Sequence, residues 1–273
     1  MPELYTEHFS VRFHDVDAWE SLHTSALLRY MEQTASNMSG AAGFDRAWYA
    51  DHGTAWIVRS TTLQRFVYIG YQDELTLAAW VSNYQRVRVY IDYETRRGGE
   101  PVAVGRSEWV YLDRSNQRPR AVDPQILETW FRQAPSSLWS AAVPPLDYEP
   151  LRQEQPPYIL TRVVYSYEGE VLGVTNNAVY ADWFDDAARR ALGSWGYPLA
   201  LFPPAVMKLD QQFLLIQYLG PTRPGDLVTI TTTCTGKDRT NQQITILQEL
   251  AGVNGERLIR AESRYQLMTS PPL

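Results

Sequence analysis

The sequence predicts an α+β chain in which one small unit occurs twice, each copy a long helix wrapped by a curved antiparallel β-sheet. Three observations carry this. The stretch Asp15-Val16-Asp17, with the helix pattern Leu27, Leu28, Tyr30, Met31 and Glu32 behind it, returns 153 residues later as Glu168-Gly169-Glu170 with Tyr180, Ala181, Trp183, Phe184 and Asp185. The same offset joins Gly43-Phe44 to Gly196-Tyr197, Asp73 to Asp226 and Thr76 to Thr229; a period this long marks a duplicated domain rather than a solenoid. Each half also reads strand, helix, four strands, an order that packs most simply as one helix against an antiparallel meander. Finally, a stretch rich in proline separates the halves, giving an N-terminal unit 1–113, a linker 114–157 and a C-terminal unit 158–273.

In chain order, residues 5–13 alternate polar and apolar and read as a strand. After the acidic loop, Thr24 or Ser25 caps a helix whose apolar set Leu27, Leu28, Met31, Ala35 and Met38 recurs at helical spacing, and Gly40 and Gly43 end it. Runs rich in Val, Tyr, Trp, Thr and Ile at 55–68, 73–84, 87–97 and 102–112 read as strands, with Gly98-Gly99 as the hairpin turn between the last two. The linker holds Pro119, Pro124, Pro135, Pro144, Pro145, Pro156 and Pro157, with one short helix from Pro124 to Gln133. The second unit repeats the order: a strand at 158–167, a helix from Asn176 or Asn177 to Leu192, and strands near 206–219, 226–236, 240–251 and 257–269. Its later strands need an offset of 156, so its meander carries three extra residues around Gly252-Val253-Asn254-Gly255.

The bulk numbers narrow the function. With 273 residues, 44% hydrophobic and 12% aromatic, there is material for two packed cores. The single cysteine, Cys234, excludes an internal disulfide and a cysteine-based metal cluster, and reads as a buried strand thiol. A net charge of −6 argues against a nucleic-acid partner, although Arg96, Arg97, Arg114, Arg118 and Arg120 form a local basic stretch that reads as a solvated loop face. The start Met1-Pro2-Glu3-Leu4 shows no secretory pattern and no run reaches the roughly 18 apolar residues of a membrane span, so a cytoplasmic protein with no membrane partner is expected. Metal-ligand spacings, a phosphate loop and a nucleophile elbow are absent from the sequence, and no cofactor is expected.

Specific motifs go further. The first unit has Asp15-Val16-Asp17 before its helix, Gly53-Thr54-Ala55-Trp56-Ile57-Val58-Arg59 entering a strand, and Ser107-Glu108-Trp109-Val110-Tyr111-Leu112-Asp113 followed by Arg118-Pro119; the second has Asn176-Asn177-Ala178-Val179-Tyr180 and Trp183. In these the chain resembles the double-hotdog acyl-acyl carrier protein thioesterases of bacteria and plants. The resemblance implies a tandem hotdog fold and hydrolysis of an acyl or polyketide thioester on acyl carrier protein or coenzyme A, by a monomer or a homodimer. It also implies a carboxylate near the start of the long helix, with helix N-terminal amides polarising the carbonyl. The physics agrees: free N–H groups and a partial positive charge suit an oxyanion, and a carboxylate can activate water or attack directly.

By position the acids are Asp17 and Glu170, with Asn176 as an orienting donor; Asp15 and Glu168 read as structural. The family's Asp-x-Asn-x-His before Val-Asn-Asn is here Glu170, Leu172 and Val174 with Thr175 ahead of Asn176, and its further acid or thiol falls near Pro221 and Thr222. The second unit holds no histidine. His23, six residues after Asp17, would pair with it as acid and base if the loop folds back; His14 reads as a buried hydrogen-bonded side chain, and His8 and His52 as surface. Glu32 and Asp185 on the two helices are second choices. Trp56, Tyr180 and Trp183 are expected to line an apolar tunnel for the substrate. The lost Asn and His leave open a dehydratase, isomerase or cyclase on the same scaffold, or a decayed acyl-binding protein.

Overall fold

In the computed structural model, the described residues are 4–131, 148–150, 155–197, 207–238 and 242–269. The proline-rich stretch 114–157 therefore lies partly outside them. By their contacts the described residues form two compact units, one within 4–13 and 27–131, the other within 14–26 and 148–269. The loop carrying Asp17 and His23 thus groups with the second unit.

The first unit holds β1 (Tyr5–Ser10), α1 (Thr24–Ala41), α2 (Arg46–Asp51), β2 (Thr54–Arg65), β3 (Glu74–Gln85), β4 (Arg88–Arg97), β5 (Glu100–Asp113) and α3 (Pro124–Phe131). Its strands pair antiparallel in the order β1-β3-β4-β5-β2. The second unit holds β6 (Tyr148–Pro150), β7 (Tyr158–Val163), α4 (Val179–Ser194), β8 (Met207–Tyr218), β9 (Leu227–Asp238), β10 (Gln243–Ala251) and β11 (Arg257–Thr269). The order there is β7-β9-β10-β11-β8, again antiparallel, with β6 also beside β9. Duplication reaches the register: Tyr5 opposes Ala79 in one copy and Tyr158 opposes Thr232 in the other, both pairs shifted by the same 153 residues.

Each helix is buried by the periodicity that predicted it. In α1, Leu27, Leu28, Met31, Thr34, Ala35 and Met38 are buried, Tyr30 stacks on Phe9 of β1 at 4.4 Å, and Thr34 and Asn37 both bond the Glu7 carboxylate. In α4, three alanines, Ala187, Ala188 and Ala191, let the helix approach its sheet closely. Ala188 and Leu192 pack on Leu209 of β8, Ile244 and Ile246 of β10, and Tyr265 and Leu267 of β11. Cys234 packs against this cluster, and burial raises its thiol pKa.

The element ends differ from expectation in instructive places. The opening strands stop at Ser10 and Val163 because the chain then turns into 3-10 helices at Phe13–Asp15 and Ser166–Glu168. Helix α4 begins at Val179, not at Asn176 or Asn177, because Asn176 folds its side chain onto the amide of Ala178. The short helix α2 was not legible as a separate element; Asp45 caps it by accepting from the Trp48 amide at 2.8 Å. The Gly98-Gly99 turn is as read, with φ of 59° and 91°, where a side chain would be strained.

Candidate active site

The acids singled out by position sit in two loops of one construction. In the first, the amide of Asp17 donates to Ser21 O, Glu20 to Asp17 O and His23 to Asp15 O; in the second, Glu170 donates to Val174 O, Gly173 to Glu170 O and Asn176 to Glu168 O. Bridges Val16–Leu22 and Gly169–Thr175 close the two loops identically. The left-handed corner falls on Glu20 (φ 59°) in one and Gly173 (φ 75°) in the other. His23 and Asn176 therefore occupy matching stations ahead of their helices, as do Asp17 and Glu170.

Asp17 closes its own loop: Oδ1 accepts the amides of Trp19 at 2.9 Å and Ser21 at 3.0 Å. Its Oδ2 faces Arg189 Nη2 of α4 at 3.9 Å. The Arg189 Nε donates to Asp185 Oδ2 at 2.7 Å. Burial works against the guanidinium charge, but Asp185, and Asp17 beyond it, raise the Arg189 pKa. Tyr265 of β11 lies in the same cluster; its pKa is raised well above the ordinary value by burial first, then by Asp185. Its hydroxyl accepts from Gln211 Nε2, which also donates to Ser263 Oγ. The position matching Arg189 in the first copy is Ser36, so the arginine belongs to one repeat only. No motif marks it; its signal in the sequence is the four-residue spacing from Asp185 on a helix face.

Around Glu170 the second loop is braced by buried groups. The Glu168 carboxylate is buried and accepts from Arg162, Trp183 Nε1 and the Tyr165 amide. Thr222 is fully buried at the place where the resemblance expects an acid or thiol. It bonds the hydroxyls of Thr175 (2.5 Å) and Tyr180 (3.0 Å), and its amide donates to the Tyr180 oxygen. Burial chiefly, only partly offset by these hydrogen bonds, raises the Tyr180 pKa. The matching residues in the first copy, Leu22, Leu27 and Ile69, are buried and apolar. Asn176 Oδ1 accepts the Ala178 amide at 3.0 Å, and Nδ2 is the donor of this side chain.

The structure brings Glu170 and Asn176 into one loop. Although the first loop does fold back, the Asp17 carboxylate hydrogen-bonds main-chain amides and not the His23 ring. His14, expected buried, is 73% exposed at its side chain, because the 3-10 turn at Phe13–Asp15 swings it outward. Tyr180 and Trp183 of α4 are buried with rings 5.1 Å apart in T-shaped contact, their polar tips held by Thr222 and Glu168. Trp56 of β2 lies in the first unit, 4.7 Å from Tyr111 and 5.7 Å from Trp130 by ring centroid.

Comparison with known proteins names this architecture. Residues 2–130 match the model of the acyl-ACP thioesterase N-terminal domain. No curated protein matches the chain in sequence. Among solved structures it is similar to a protein of Lactobacillus plantarum assigned as an oleoyl thioesterase, at 17% identity and a TM-score of 0.79, over 99% of this chain and 98% of that one. It is also similar to an acyl-ACP thioesterase from Bacteroides thetaiotaomicron (14% identity, TM-score 0.73, 96% and 97% covered) and the 12:0-ACP thioesterase of Umbellularia californica (14%, 0.75, 98% of each). These likenesses establish the double-hotdog fold, with its large antiparallel sheet. The domain model that fits residues 2–130 makes the first half of the chain similar to the acyl-ACP thioesterase N-terminal domain.

Proposed function

We propose that this chain hydrolyses the thioester of an acyl chain carried on acyl carrier protein or coenzyme A. The supporting observation is the pair of matching loops, each setting a carboxylate, Asp17 or Glu170, ahead of a helix N-terminus. Water attacks the carbonyl carbon as a carboxylate takes its proton; the oxyanion collapses, the C–S bond breaks and the thiolate recovers the proton, leaving free acid and thiol. This chemistry needs no cofactor.

We assign the base to Glu170. Both lone pairs of Asp17 Oδ1 are engaged by its own loop and Oδ2 faces Arg189, so Asp17 is the alternative rather than the first choice. In this proposal Asn176 Nδ2 orients the thioester and amides at the α4 N-terminus hold the oxyanion. His23, at the station matching Asn176, would serve the Asp17 alternative. Tyr180 and Trp183 in the second unit, and Trp56 in the first, are the proposed substrate-binding residues. The proposal also has two hotdog units at 1–113 and 158–273 joined by 114–157, acting in the cytoplasm on fatty or polyketide chains, as a monomer or homodimer.

The test is release of free acid from a panel of fatty and polyketide-like thioesters of acyl carrier protein and coenzyme A. Glu170→Gln should lower turnover by about 100-fold or more, and Asp17→Asn by far less. The reverse result assigns the base to Asp17. A dehydration, isomerisation or cyclisation is the second reading, favoured by Leu172 and Val174 standing where the family carries Asn and His. A water-loss or mass-neutral product with no free acid from any thioester would establish it instead.

A further inference from the structure

We propose that Glu168 is a positioning residue for this reaction: its buried carboxylate fixes the loop that carries Glu170 and Asn176 against the α4 helix. The inference rests on the thioesterase reading for its kinetic consequences and on geometry for the rest. One carboxylate joins three parts of the unit. Oε1 accepts from Arg162 of β7 at 2.5 Å and from Trp183 Nε1 of α4 at 2.9 Å, while Oε2 accepts the Tyr165 amide at 2.7 Å. The Arg162 guanidinium lies 4.1 Å from the centre of the Trp183 ring, so the cation bridges carboxylate and helix at once. The main chain of the same residue completes the link, because Glu168 O accepts the Asn176 amide at 3.0 Å. Movement of Glu168 therefore carries Asn176 with it, and Glu170 is two residues further along the loop.

The first copy shows that this brace is an addition to the fold and not a requirement of it. Asp15 O accepts the His23 amide in the same way, at 2.8 Å. The residues matching Arg162 and Trp183 are Phe9 and Tyr30, which stack at 4.4 Å with an interplanar angle of 10°. There a ring pair holds strand to helix. In the second copy a charged network does, and it ends on the loop proposed to do the chemistry.

Glutamine makes the decisive variant. It offers one acceptor oxygen to three donors and turns its own NH2 against at least one of them. Glu168→Gln is expected to lower kcat by about 10–100-fold with KM within about threefold, as a displaced catalytic group does. It should also speed hydrogen exchange at the Asn176 amide relative to amides of β10 and β11. Trp183→Phe keeps a ring for Arg162 and removes one donor, so a smaller change in the same direction is expected; Glu168→Asp, retaining two acceptor oxygens, should recover part of the loss. Should Glu168→Gln fail to fold, these two variants carry the test. Unchanged kcat and unchanged Asn176 exchange, a rise in KM alone, or a loss that only tracks the unfolded fraction would overturn the inference. If the wild type hydrolyses no thioester, the thioesterase reading falls separately, and exchange at Asn176 still decides whether Glu168 positions the loop.

Discussion

Removing one oxygen from Tyr180 tests whether the buried hydroxyl network of the second copy contributes to stability. Tyr180→Phe deletes the acceptor of the fully buried Thr222 amide, 3.2 Å away, and one partner of Thr222 Oγ1 at 3.0 Å. Thr222 Oγ1 keeps Thr175 at 2.5 Å, so the hydroxyl is still satisfied while the amide is orphaned. An orphaned buried donor costs about 1–3 kcal/mol and the lost side-chain bond under about 1 kcal/mol, giving about 2 kcal/mol in total. At about 2–4 °C per kcal/mol for a chain of this size, Tm should fall by about 4–8 °C. The measurement is denaturant and thermal unfolding of wild type, Tyr180→Phe, Thr222→Val and the double variant. Thr222→Val leaves Tyr180 still accepting the amide, so the two single losses share one interaction and should be non-additive by about 1 kcal/mol. Since the ring face is untouched, KM should not move. A Tm shift below about 1 °C would refute the reasoning, as would strictly additive losses.

Other outcomes follow from the same geometry. Tyr93, Tyr180 and Tyr265 all have raised pKa values, burial being the first cause in each. The unfolded phenols ionise near pH 10 while the folded ones keep their protons, so above about pH 10 the folded state binds more protons than the unfolded. The stability they contribute is complete below that pH and lost as pH rises through the folded values. Urea midpoints should fall on that limb, with phenolate absorbance from these three appearing only as the chain unfolds. Arg189→Met leaves Asp185 and Asp17 without their shared cation and should cost about 2 kcal/mol in denaturant unfolding; no loss would show the cluster to be fully solvated. At Gly105, an added Cβ would meet Met31 Cε at 2.6 Å and Thr62 O at 3.2 Å. Because the methionine end can move but the carbonyl cannot, Gly105→Ala should destabilise by about 1–2 kcal/mol, read as a shifted denaturant midpoint with unchanged slope.

Much of the architecture was legible from the residues. The offset between Asp17 and Glu170 is shared by the opening strand, its pairing partner and the loop hydrogen bonds, because a duplicated chain keeps one pattern of alternation and one set of turn positions. Gly98-Gly99 and the buried faces of α1 and α4 were readable for the same reason: local conformational freedom and helical period are properties of consecutive residues. The short 3-10 turns at Phe13–Asp15 and Ser166–Glu168 were not, since three residues carry too little period to distinguish a turn from the end of a strand.

The sequence by itself thus determined the repeat, the order of elements and the stations of the acids. Tertiary structure alone decided what surrounds them. Asp17 and Glu170 are matched in sequence, yet only the fold turns Asp17 onto its own loop amides and onto Arg189, which is remote from it along the chain. Only the fold brings Arg162, Tyr165 and Trp183 onto one carboxylate, and Thr175, Tyr180 and Thr222 onto one another. A hydrogen bond depends on distance and direction between side chains, and those are set by packing across strands and helices that no local pattern encodes.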